Sequence, residues 1–292
     1  MTMEALDRAG RHPENQDPTK QFAIEQAKSL LIAAGVKDPG MSVVAKVETG
    51  PVLQAPDAPV DIKRFSKDQL VLPETAIPQE VSAILQRAEK AGIGVFEPYR
   101  LSGVTLNKDS KVDGWNKKPE SWYWKQIENG EVSQDTSKLP DTWVLIDKTV
   151  RPDYQNGKQL HENDSFGPLL KRLRKEKKIQ TVKGIPDTSR FGISPDELTQ
   201  VVLPEIAKIL GVDASAVRLP KEIEFNIIGN FEHPEWGKAN TWEWFADKFG
   251  DDDRLVGGLS GYGGLARVRH FWSGDRGDFI AFRPLVVVSP KA

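Results

Sequence analysis

The residues of this chain that could do chemistry crowd toward its C-terminal end. Ser260 lies in Gly258-Leu259-Ser260-Gly261-Tyr262, but a strand-to-helix nucleophile elbow needs a second flanking glycine that this pentapeptide lacks. The glycine pairs Gly257-Gly258 and Gly263-Gly264 suggest a phosphate cradle, yet no P-loop Lys-Ser/Thr and no helical pattern follows them. Loop formation is the better account of these glycines. Asp251, Asp252 and Asp253, with Asp275 and Asp278, could supply oxygen ligands to a hard cation such as Ca²⁺. Arg254, Arg267, Arg269, Arg276 and Arg283 match them in number, so ion pairing and solvation compete with a metal. His12, His161, His233 and His270 are too far apart to show a metal-ligand spacing. The sequence therefore nominates no catalytic residue, no metal ligand set and no cofactor.

Composition narrows the classes further. The chain has 292 residues, a net charge of −2 and no cysteine, so disulfides, thiolate nucleophiles and Cys-ligated metals are excluded. The charge balance lacks the basic excess expected of a nucleic-acid or anionic-membrane binder. The N-terminus has no apolar signal core and no segment is apolar for the ~20 residues that span a bilayer, which predicts a soluble protein without membrane insertion.

The elements that must position the C-terminal residues follow from periodicity. Residues 1–19 form a polar lead-in, Lys20 to Ala34 a helix and 42–56 a short extended hairpin, so a boundary is expected near residue 60 and a main domain over 61–292. Val81, Ile84, Leu85 and Ala88 give one apolar helical face between Pro78 and Gly92, and Gly92 to Leu101 then reads as strand. Residues 107–139 read as a decorated insertion held by Trp115, Trp122 and Trp124. Thr142 to Val150 is a buried strand, and the helix from Pro168 ends in a basic run, Lys171 to Lys178, that reads as a solvated helix end. A helix opening at Pro195 closes at Gly211, with Pro204 predicting a kink inside it. Trp242, Glu243, Trp244 and Phe245 read as core, and a terminal strand begins at Phe282-Arg283-Pro284.

Between Leu255 and Val288 the composition is unusual. From Phe249 to Pro290 there is no Lys, Glu, Gln or Met, types that make up roughly one residue in five elsewhere in the chain. Gly257, Gly258, Gly263, Gly264, Leu265, Ala266, Val268, Trp272 and Ile280 look fixed. They alternate with Leu259, Tyr262, Arg267, Arg269, His270, Phe271, Ser273, Gly274, Gly277 and Phe279, which share no chemistry.

Three landmarks carry a family resemblance. Arg218-Leu219-Pro220-Lys221-Glu222-Ile223-Glu224-Phe225, Asn240-Thr241-Trp242-Glu243-Trp244 and Phe282-Arg283-Pro284 resemble the RLPTEAEWE, NVWEW and GFR motifs of the formylglycine-generating-enzyme type of C-type-lectin-like fold. Variable proteins of diversity-generating retroelements share that fold, and the last 80 or so residues look like one of them. The resemblance implies a loop-rich α+β fold with a small antiparallel sheet and flanking helices. It also implies adenine-directed mutagenic retrohoming of a variable region at about 255–285, in which AAC codons become NNC codons. NNC codons never encode Lys, Glu, Gln, Met or Trp, and all ten mixed positions named above fall within what they do encode. Formylglycine generation is not carried over, because its oxidative chemistry needs cysteine.

What the resemblance implies is a non-catalytic display protein binding a protein or glycan, at a virus or cell surface. Leu265, Val268, Trp272, Ile280 and Phe282 would point inward. The ten mixed positions would form the outward binding face, with Tyr262, His270, Phe271, Phe279, Arg267 and Arg269 the types that dominate binding energy. Two alternatives use the same fold: a calcium-dependent carbohydrate binder built on Asp251 to Asp253, and a structural virion or surface-assembly protein anchored to a partner through the N-terminal segment.

Overall fold

Val81, Ile84 and Ala88 recur at helical spacing, and in the computed structural model they are the buried residues of a helix that starts immediately after Pro78. The structure describes residues 64–73 and 76–288; the helix at Lys20 to Ala34 and the extended segment at 42–56 lie outside the described residues. The chain divides between Lys63 and Arg64 into two units, and everything below concerns the second.

Strands β1 (Arg64–Phe65) and β2 (Val71–Leu72) lead to helix α1 (Gln79–Lys90), β3 (Phe96–Leu101), β4 (Lys111–Val112), helix α2 (Ser121–Glu128) and β5 (Trp143–Asp147). An irregular stretch carrying α3 (Gly167–Lys175) runs to α4 (Pro195–Glu197), a π turn (Leu198–Val202) and α5 (Leu203–Leu210). Then come β6 (Val217–Arg218), α6 (Glu222–Phe231), β7 (Trp242–Phe249), β8 (Asp253–Gly257), β9 (Val268–Trp272), β10 (Ile280–Ala281) and β11 (Leu285–Val288).

The fold is mixed α and β, with more sheet than the single small one expected. Five strands form an antiparallel sheet in the order β2-β3-β5-β11-β6, and four form a second in the order β10-β7-β8-β9, while β1 and β4 make a short parallel pair. The chain's last strand is thus an inner strand: Leu285 to Val288 lie opposite Ile146 to Trp143, and Leu285 and Val286 also face β6. Strands flanked on both sides and covered on both faces read as continuous apolar runs, which is why Val144-Leu145-Ile146 and Leu285-Val286 are fully buried.

Helix α6 is buried from Glu222 to Gly229 and packs Ile223, Phe225, Ile227 and Ile228 among Trp115, Tyr123, Trp236, Phe245, Leu255 and Val268. Each large apolar side chain buried this way contributes about 1.5–3 kcal/mol relative to exposure. The insertion at 107–139 therefore supplies core as well as surface. Trp115 donates from Nε1 to Asn226 Oδ1 at 2.5 Å, and α2 buries Tyr123 and Trp124.

The expected kink at Pro204 takes the form of the π turn. Leu203 N–H donates to Leu198 O, five residues back, and the wider turn accommodates a proline that has no N–H to give. Helix α5 then ends at Gly211 in the left-handed conformation, and Arg87 of α1 donates to the terminal Leu210 carbonyl at 2.5 Å. The basic run that ends α3 is partly internal: Arg174 is buried and donates to the carbonyls of Asp187, Ser189 and Phe191, and Arg172 pairs with Glu205 at 2.6 Å.

A chain of buried charges joins the two larger sheets. Glu243 of β7 takes two hydrogen bonds from Arg283 and an ion pair from Arg151 at 3.2 Å; Asp147 of β5 is paired with Arg190, which also holds Asp164. Arg283 Nη1 donates to the Asp147 carbonyl and its guanidinium lies 3.8 Å from the Trp236 ring. Burial alone would raise the Asp147 carboxyl, but Arg190 and Arg283 outweigh it and hold its pKa below the usual value. The same arginines, added to burial, push His161 well below its ordinary range.

Candidate functional site

Strand β9 is the outermost strand of its sheet among the described residues, and its first half is built to stay put. Glu120, just before α2, accepts from Val268 N at 3.0 Å through Oε1 and from Arg267 Nη1 at 3.2 Å through Oε2; Arg269 donates to Oε1 as well. Glu120 N in turn donates to Ala266 O at 2.9 Å. This clamp occupies the open edge of the strand and fixes its position through backbone groups and one carboxylate.

The loop before β9 owes its path to close approaches. Gly258 has φ +87°, and a Cβ there would sit 2.5 Å from an Arg151 nitrogen; Gly264 has φ +64°, and a Cβ would meet the Gly237 carbonyl at 2.5 Å. Both glycines therefore serve backbone conformation and packing. Arg151 uses the space at Gly258 to donate to four carbonyls, those of Thr241, Gly257, Trp236 and Gly258.

Further along β9 the side chains emerge. His270 stacks on Phe249 (centroids 3.9 Å apart, 16° between planes) and lies parallel to Trp122 at 5.8 Å, while Asp253 Oδ2 is 2.6 Å from its Nδ1. The Arg269 guanidinium lies over Trp122 at 5.3 Å. On the opposite strand face Phe271 meets Trp242, Trp244 and Phe279 edge-on. Trp272 ends the strand with 61% of its surface exposed. The His270 side is thus a partly solvated aromatic stack with a cation and an imidazole in it, suited to non-covalent recognition.

The ten mixed positions do not share one environment. Arg269, His270, Phe271 and Ser273 are partly exposed, as expected of a face. Leu259 and Phe279, at 5% and 1% exposure, are core residues, and Gly274 and Gly277 are buried. Phe279 turns in because β10, which it precedes, runs parallel to β7 with both of its residues fully buried; its carbonyl takes the Trp242 N–H. Leu259 follows the left-handed turn at Gly258 and is folded under the loop. Arg267 is buried against Glu120. Tyr262 ends a 3-10 turn, Ser260–Tyr262.

Trp272 corrects the opposite expectation. It shares a strand face with Val268, but it pairs with Asp253, the first residue of β8, so by this point β9 has reached the end of the sheet and the ring, with Gly274 against it, is mostly in solvent. Leu265, Val268, Ile280 and Phe282 do point inward, as do Trp242 to Phe245.

Asp253 pairs with His270 at 2.6 Å. Arg267 and Arg269 go to Glu120, Arg276 to Glu197 at 2.9 Å and Arg283 to Glu243. Asp278 accepts from Tyr154 OH at 2.9 Å. Among the described residues no three His, Asp or Glu side chains gather to hold a metal ion. Glu120 and Phe249 complete the site without having been singled out beforehand; Glu120 is remote in sequence, and no local pattern marks it.

Searches against protein-family models, curated proteins and solved structures found no match to this chain. No described helix is long and apolar enough to cross a membrane.

Proposed function

We propose that this protein is a ligand-binding display protein with a C-type-lectin-like fold, whose C-terminal surface is diversified by adenine-directed mutagenic retrohoming and binds a protein or glycan without catalysis. One observation carries the reading: along β9 the backbone is held by Glu120 and the buried Val268, while Arg269, His270, Phe271 and Ser273 stand partly in solvent. A strand held through its backbone tolerates exchange of its side chains, because exposed substitutions cost little where they do not pack. The exposed types, planar aromatics with a guanidinium, are those that concentrate binding energy.

On this reading the binding face is the segment around Arg269 to Ser273, with Trp122, Phe249 and Trp272 as its constant border. Leu259, Phe279 and Arg267 serve the framework in this variant. The depletion of Lys, Glu, Gln and Met from Phe249 to Pro290 is then a property of the codons.

The decisive experiment compares the 3′ end of the gene with its surroundings. A near-copy differing at adenines, beside a reverse transcriptase gene, supports diversification, with differences falling in the codons for 269–271 and 273. Differences spread evenly over all four bases would remove that part of the proposal. Binding is tested by combining Arg269→Ala and His270→Ala and measuring capture of surface proteins and glycans against the unsubstituted chain.

A further inference from the structure

Away from β9, a cleft of about 370 Å³ opens between the π turn, α5, β6 and the β7–β8 pair. That volume lies in the range of small-ligand sites, about 300–1,000 Å³. Its walls are mainly aliphatic, with Leu203, Pro204 and Leu219 among them, and Ser215 stands at its exposed mouth. Two arginines reach it, and they are in different states. Arg218 is committed to Glu224 by two hydrogen bonds, 2.7 Å and 2.5 Å. Arg254 is half-buried, donates from Nη1 to the Ala246 carbonyl and makes no ion pair among the described residues.

A guanidinium carries five N–H donors in a planar fork, so a single carbonyl leaves most of its capacity unused. Burial lowers the pKa of Arg254, and the more distant Asp196 and Asp247 do not make up for it. The cost of holding this cation in a poorly hydrated place is relieved by a counter-ion in the cleft. The π turn is a second, independent mark: such turns recur at functional sites, and Thr199 and Pro204 from it and its exit both line the cleft. A phosphate dianion would need more donors than one guanidinium, and the start of α5 adds none there, because Leu203 N–H goes to Leu198 O and Pro204 has no N–H.

We propose that this cleft binds a small monocarboxylic acid with an aliphatic body, its carboxylate on Arg254 and its chain against Leu203, Pro204 and Leu219. The site is separate from the β9 face and does not depend on the display reading. Octanoate is the probe, with acetate supplying the charge alone and octan-1-ol the chain alone, each titrated by calorimetry and thermal shift against the full chain.

Millimolar octanoate raises the melting temperature and binds measurably, while acetate and octan-1-ol at the same concentration do neither. Arg254→Gln weakens octanoate at least about tenfold. Ser215→Trp, an exposed substitution that plugs the mouth, blocks it with the fold intact, so it decides the question if Arg254→Gln fails to fold. His270→Ala leaves octanoate binding unchanged. Absence of octanoate binding, equal binding of octan-1-ol, or full binding by either cleft variant overturns the proposal.

Discussion

Arg283 grips Glu243 through two parallel hydrogen bonds, Nη2 to Oε1 at 2.7 Å and Nε to Oε2 at 3.0 Å, with both side chains about 1% exposed. The pair ties the segment entering β11 to β7, and so ties the five-stranded sheet to the four-stranded one that carries β9. Two sequence landmarks separated by 40 positions are thereby one object. A planar bidentate match is a property of arginine that lysine cannot reproduce.

Removing one partner leaves an uncompensated buried charge. Glu243→Ala strands Arg283 and Arg151 together and costs about 3–5 kcal/mol or prevents folding, whereas Arg283→Ala leaves Glu243 its ion pair with Arg151 and costs less. Arg283→Lys keeps the charge but loses the second bond, and falls between Arg283→Ala and the unsubstituted chain. Urea denaturation of the three variants checks the order; a cost within experimental error for Glu243→Ala would show that the network is dispensable.

Stability should also fall with rising pH through a second buried cluster. Glu222 and Asp247 lie beside the buried Tyr123; the Asp247 carboxylate accepts the Glu222 N–H at 2.6 Å, Tyr123 OH has no hydrogen-bond partner among the described residues, and the Asn226 side chain lies beside the Glu222 carboxyl. Burial and then the neighbouring Asp247 raise Glu222 well above its usual pKa, and burial lifts Asp247 to about 6. The folded state thus holds these protons more tightly than the unfolded chain. Their contribution is fully present below the unfolded carboxyl values, about pH 4, and is lost as pH rises through the folded values. Glu222→Gln, which keeps the shape without the charge, raises the melting temperature at neutral pH and loses that advantage in acid. Melting curves of both proteins across pH show whether the gap closes as the pH falls.

The split among the mixed positions predicts a split in stability. Arg269→Ala and Ser273→Ala change stability by less than about 1 kcal/mol, because partly exposed ion pairs contribute little. Phe279→Ala costs about 3–5 kcal/mol and Leu259→Ala about 2–5 kcal/mol, because each opens a cavity in packed core. Chemical denaturation of the four single variants separates the groups; equal costs in both would remove the distinction between face and framework.

Trp272 offers a test of the border. Its ring is mostly solvated, so Trp272→Ser leaves the melting temperature within a few degrees while weakening capture of whatever the β9 face binds. Loss of stability comparable to that of Phe279→Ala would place the ring in the core after all.

Local pattern made several elements legible. The spacing of Val81, Ile84 and Ala88 between a proline and a glycine defines α1 to within a residue or two, and the apolar run Val144-Leu145-Ile146 defines β5. Pro204 announced an irregular helix, and the geometry of neighbouring strands made that irregularity part of a cleft. The insertion at 107–139 was less legible, because its short helix and its three tryptophans acquire their role only against α6 and β9.

By itself the sequence determined which segments can be helix or strand, that no cysteine chemistry exists here, and that 249–290 is compositionally set apart. These are properties of neighbours in the chain, where periodicity and residue type act directly. Only the tertiary structure decided which of the mixed and fixed positions reach solvent, sending the mixed Phe279 and Leu259 inward and the fixed Trp272 outward. Exposure depends on where partner strands end and on residues far away in sequence: Glu120 against Val268, Arg151 in the space at Gly258, Glu243 beneath Arg283. No local periodicity encodes a partner from forty to well over a hundred positions distant, so the β9 surface takes its outline from contacts made only when the chain folds.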